Sequence, residues 1–141
     1  MLLKSKLYFQ AMIIKNLLEP NKKSIWLAVF WTFLMLYFCF KNPSGEQIFN
    51  FPNIDKVVHF AFYFVFVILW FRYLVFKQKT DFKTKLTLVF FAILFGIAIE
   101  IGQHLLTTTR QADFWDAVAN SIGSVIGILT VSYFFKIKNV E

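Results

Sequence analysis

Ten residues in this chain have types and spacings suited to acid–base or anion-binding chemistry, and they fall in three short stretches. The first is Asp55-Lys56-x-x-His59. The second is Glu100-x-x-Gln103-His104, and the third is Arg110-x-x-Asp113-x-x-Asp116-x-x-x-Asn120. A carboxyl group near an imidazole can pass a proton to or from a bound head group, which makes Glu100, His59 and Asp116 the candidate catalytic residues. A guanidinium offers a fork that matches phosphate, so Arg110 heads a candidate ligand-binding set with Asp55, Lys56, Gln103, Asp113 and Asn120. Each has a plainer reading. Glu100 then accepts hydrogen bonds from His59, Gln103 or Arg110 and fastens helices, while Arg110 and its acids tie a tight loop to the segment that follows. Asn120, on the same reading, bonds a neighbouring backbone. His59, Glu100, His104, Asp113 and Asp116 are also metal-capable, and Glu100 and His104 share a helix face at i, i+4. The sequence has neither a His-Glu-x-x-His pattern nor a cysteine cluster, so no metal ligand and no cofactor is assigned.

The elements that must position these residues are apolar. Of 141 residues 58% are hydrophobic and only 16% charged, against about 25% charged in a soluble domain. Twenty Phe exceed what one soluble core of this length would hide, and Cys39 has no cysteine to pair with. A disordered protein, a disulfide scaffold and a multidomain machine are excluded. Four apolar runs stand out, Ile25–Phe40, Val57–Phe76, Leu86–Leu106 and Phe114–Phe135. About 20 residues at 1.5 Å each cross a hydrocarbon core, and only helices satisfy their own backbone there. The first run is short and leans on Lys41 as a snorkelling end.

The net charge of +7 lies between these runs rather than on a nucleic-acid-binding face. Twelve basic residues fall before the first run, around the loop between the second and third (with Arg72 near the end of the second run) and after the fourth; only Lys41, Lys56 and Arg110 fall on the other side. By the positive-inside rule both termini and the middle loop are cytoplasmic. Trp26, Trp70 and Tyr73 suit the inner interface and Trp115 the outer one. In residues 1–20 the spacing of Leu3, Leu7, Ile14 and Leu18 around Lys4 and Lys15 suits a helix lying in the cytoplasmic interface. No small-residue cleavage site marks a secretory signal.

The embedded polar groups gather in the outer half. Glu100 lies about 21 Å past Leu86 and Asn120 about 9 Å past Phe114, while His59 and Asp116 fall within about 3 Å of the outer boundary. Asp55 and His59 share a face at i, i+4, as do Asp113, Asp116 and Asn120, whose face continues as Gly123 and Gly127. Such small-xxx-small spacing admits a close neighbouring helix, and Gly96 lies one turn below Glu100. Ionisable groups at this depth persist by pairing or by facing water, and are functional-site candidates by default.

Taken together, the three stretches, without His104 and with the last continued to Gly123, resemble the VanZ-like family over roughly residues 25–133. One difference is that Thr107-Thr108-Thr109 precedes Arg110, where members often carry Pro-Gly. The resemblance implies a small integral membrane protein in a cell-envelope setting. The member that names the family belongs to a glycopeptide-resistance cluster and protects against teicoplanin.

The expected architecture is all-α: an integral membrane four-helix bundle in residues 21–141, preceded by a cytoplasmic segment, in the bacterial inner membrane. Its polar pocket would open to the outer leaflet and bind or modify an amphiphilic envelope component, such as a lipid-linked wall precursor or a lipopeptide-like antibiotic. In this scheme Arg110, His59 and Lys56 meet the anionic head, and Glu100 and Asp116 handle any protons. The alternative is an accessory protein whose polar cluster only fastens the helices. A proton-coupled carrier is disfavoured, because the polar groups do not continue into the inner half apart from Arg72.

Overall fold

The computed structural model describes residues 21–41, 53–107 and 113–138, which form four α-helices. They are α1 (Ser24–Phe40), α2 (Ile54–Phe76), α3 (Phe82–Leu106) and α4 (Phe114–Lys138). Spans in α2, α3 and α4 are long and apolar enough to cross a membrane. At 17 residues α1 is shorter, rising about 25 Å at 1.5 Å per residue. Residues 1–20, where an interfacial helix was expected, lie outside the described residues.

The apolar runs predicted all four helices, but α2 begins at Ile54 rather than Val57 and α3 at Phe82 rather than Leu86. Hydropathy ends the α2 run at Val57 because Asp55 and Lys56 are charged. The helix continues through them because they pair with each other and with residues ahead of and within α4. At the other end of α2, the chain turns where Gln78 adopts a left-handed φ of 58°. There the Gln78 and Lys79 amides return to the Val75 and Leu74 carbonyls, closing the last orphan acceptors of the helix. Asp81 then opens α3 by accepting the Thr84 amide at 3.0 Å and its hydroxyl at 2.6 Å. Those two donors hold the Asp81 carboxyl below its ordinary range.

Interhelix contacts define an up-and-down bundle. Trp70 Nε1 donates to Thr32 Oγ1 while Phe38, further along α1, stacks on Phe62, earlier in α2, so α1 and α2 run in opposite directions. Phe60 and Phe64 meet Gly123 and Gly127 in turn, so α2 and α4 run parallel. His59 early in α2 meets Glu100 late in α3, so those two are antiparallel. One end of the bundle therefore collects the close of α1 and α3 and the start of α2 and α4. Large apolar side chains such as Trp26, Phe33, Phe91 and Phe114 stay more than half exposed on the outside. A soluble surface rarely presents so much apolar area, and lipid covers it without penalty.

The α2–α4 contact is the tightest. A Cβ on Gly123 would lie 2.3 Å from the Phe60 carbonyl oxygen, and one on Gly127 2.7 Å from that of Phe64. Only glycine permits this approach, because the obstacle is backbone. Gly102 differs, since its Cβ would meet only the ring of Phe40, at 3.0 Å. Gly123→Ala is expected to destabilise the protein by about 2–3 kcal/mol and Gly102→Ala by far less, read as denaturant midpoints in detergent micelles.

Candidate functional site

The start of α2 brings a lysine into a ring of acids. Lys56 Nζ lies 2.9 Å from Asp55 Oδ2, 2.7 Å from Asp113 Oδ2 and 3.2 Å from Asp116 Oδ1. Asp113, the residue before α4, also accepts the Trp115 amide at 2.8 Å, so the same carboxylate opens the helix and meets the ammonium. The expectation that Lys56 meets an anionic head has to account for this arrangement, in which three carboxylates already surround the ammonium.

One turn deeper the groups are buried. His59, Glu100, Asp116 and Asn120 are at most 8% exposed. The earlier start of α2 puts His59 five residues into the helix, about 7.5 Å from its end rather than about 3 Å, and so level with Glu100. His59 Nδ1 lies 3.2 Å from Asn120 Oδ1 and 3.5 Å from Glu100 Oε1, and its Nε2 lies 3.7 Å from Asp116 Oδ2. An amide oxygen only accepts, so Nδ1 carries the proton in the contact with Asn120. Asn120 is itself held down, since the Ser124 hydroxyl donates to its carbonyl at 2.9 Å.

Gly96 explains how α3 comes so near. A Cβ there would lie 3.2 Å from Asn120 Nδ2 and 3.3 Å from Tyr63 Cζ. Tyr63 is fully buried, and among the described residues neither its hydroxyl nor Asn120 Nδ2 has a hydrogen-bond partner. Sequence reasoning passed over Tyr63 among the many aromatics. The available signal was its position four residues after His59, on the face that continues as Phe66 and Val67.

The other expected site residues are dispersed. Gln103 is buried and its amide donates to the Cys39 carbonyl at 2.7 Å, satisfying one of the last orphan carbonyls of α1. His104 is exposed and takes no part in the cluster. Arg110 lies outside the described residues.

A cleft of about 290 Å³ opens between α1 and α2 beside this layer. Phe38, Ile54, Val58 and Phe62 form its apolar wall, and Asp55 and His59 its polar lining. Among the described residues the layer holds four carboxylates, Asp55, Glu100, Asp113 and Asp116, against one ammonium and one imidazole. That balance suits hydroxyl and amine donors, a shared proton, or a cation.

Lys56 also sets a measurable titration. Its ammonium, with the Trp115 amide, holds the Asp113 carboxyl below its ordinary value of 3.8. A depressed carboxyl contributes stability above that ordinary value, lost as pH falls through the depressed one. In Lys56→Met the Asp113 titration should move up toward the ordinary value, and the share of the acid loss of stability that this carboxylate contributes should shrink. Carboxyl 13C NMR and melting at stepped pH check the two parts.

The bundle, its polar end and its glycine contacts lie inside a segment that comparison with known families recognises. The VanZ/LLP1 family model matches residues 6–136. Neither a curated protein nor a solved structure matches the chain. The chain belongs to the VanZ/LLP1 family.

Proposed function

We propose that this membrane protein binds or, through Glu100, His59 and Asp116, modifies an amphiphile of the bacterial envelope. The candidates are a lipid-linked wall precursor or a lipoglycopeptide-type antibiotic. The observation that carries the reading is the cleft whose apolar wall ends at Asp55 and His59. A hydrocarbon chain would lie along Phe38, Val58 and Phe62, with its head at the carboxylate layer. The excess of carboxylates favours a head rich in hydroxyl or amine donors over a bare phosphate, and sugars and amino sugars carry such donors. The basic residues at the opposite end support an orientation with the cleft toward the outer leaflet and both termini in the cytoplasm of a multi-pass inner-membrane protein.

A second reading has its own support. The contacts of Lys56 with Asp113 and Asp116 and the glycine contacts below them bind α2 to the start of α4, as an accessory protein with a purely structural polar cluster would require.

Mass spectrometry of co-purified lipids separates the two, using wild type, Val58→Trp, which fills the cleft, and Glu100→Gln, which keeps the shape of the side chain. A defined head-group class enriched on wild type should vanish in Val58→Trp at unchanged melting temperature. In Glu100→Gln it should fall about tenfold, as loss of a hydrogen bond to a charged group implies. Identical lipids on all three, with Glu100→Gln melting early, would overturn the binding reading in favour of the structural one.

A further inference from the structure

We propose that His59, Glu100 and Asp116 form a binding site for a divalent transition-metal cation, with Asn120 orienting the imidazole. One ligand atom from each of the three, on three different helices, lies within 4.8 Å of the other two, and all three residues are buried. The gap from His59 Nε2 to Asp116 Oδ2, 3.7 Å, exceeds the N–H···O range of about 2.7–3.2 Å. It approaches the separation of two ligands on one tetrahedral cation, about 3.4 Å for bonds of about 2.1 Å.

The tautomer points the same way. With Nδ1–H directed at Asn120 Oδ1, the Nε2 lone pair faces Asp116 Oδ2, so two electron-rich atoms confront each other. A cation between them resolves the conflict, and a ligating imidazole characteristically donates its other N–H to a neighbouring acceptor. Asn120 is 1% exposed, reaches into the cluster through this contact, and has Nδ2 without a partner among the described residues. Tyr63 Oη, the second buried donor beside Gly96, likewise has no hydrogen-bond partner among the described residues. Asp55, Asp113 and Asp116 also cluster, but the Lys56 ammonium already lies among all three, so the geometry assigns no second site. One imidazole nitrogen with carboxylate oxygens suits Mn2+ or Zn2+ better than the oxygen-only preference of Ca2+.

The test uses the full chain in detergent, stripped with EDTA and titrated with Mn2+ alone and Zn2+ alone, with no lipid added. Its outcome is therefore independent of the amphiphile reading. Expected are about one equivalent of bound metal per chain and, in the Mn2+-loaded protein, a single imidazole 14N coupling in pulsed electron paramagnetic resonance. His59→Gln should abolish the coupling, Glu100→Gln and Asp116→Asn should weaken binding about tenfold or more, and Asn120→Ala by about 10–100-fold. His104→Gln should leave stoichiometry and coupling intact. Less than about a tenth of an equivalent on wild type with both metals would overturn the site. Equal binding and coupling in His59→Gln would overturn it too. If a buried variant fails to fold, the wild-type stoichiometry and its nitrogen coupling still decide.

Discussion

Two helices that approach until the backbone of one touches the α-carbons of the other have little freedom to slide. In this protein α2 and α4 meet that way, with the Phe60 and Phe64 carbonyls against Gly123 and Gly127. The register set there governs the polar layer above it. With Phe60 on Gly123, His59 falls opposite Asn120 and Asp116, and Lys56 opposite Asp113. A shift of one residue along either helix would rotate these side chains out of reach. The third side follows the same logic, because Gly96 lets α3 close on Asn120 and Tyr63 and so delivers Glu100.

Burial raises the cost of error in this layer. A charge inside a low-dielectric bundle depends on its partner, and removing one member of a buried pair typically costs about 3–5 kcal/mol. The arrangement is graded to suit. Where Asp55 and Lys56 are partly exposed, full charges meet at 2.7–3.2 Å. Deeper, around His59, the distances lengthen and an amide enters between the charged groups. Strong short pairs thus sit where water is near, and the site with chemical potential sits where water is scarce.

Much of this was legible in the residue pattern. Apolar runs marked all four helices, and the small-residue spacing from Gly123 to Gly127 marked the close contact. Three polar stretches on three helices announced a shared layer. The depth of His59 was misjudged because hydropathy reads Asp55 and Lys56 as the end of a span, whereas mutual neutralisation lets the helix run through them. Gln103 looked like a companion of Glu100, yet its partner is a backbone carbonyl on α1, and main-chain acceptors leave no trace in sequence. Tyr63 was hidden by abundance: among twenty Phe and five Tyr, one more aromatic carries no contrast.

The parallel pairing of α2 with α4 also bears on how the chain is built. Synthesis runs from the amino end, so α2 and α3 are made before Asp113, Asp116 and Asn120. Until then Lys56 and His59 must be sheltered without the carboxylates and amide of α4. The final helix therefore acts as a keystone, completing the ionic layer and the backbone contact in one docking event. A chain halted before that event keeps Lys56 and His59 without the partners that α4 and the residue ahead of it supply.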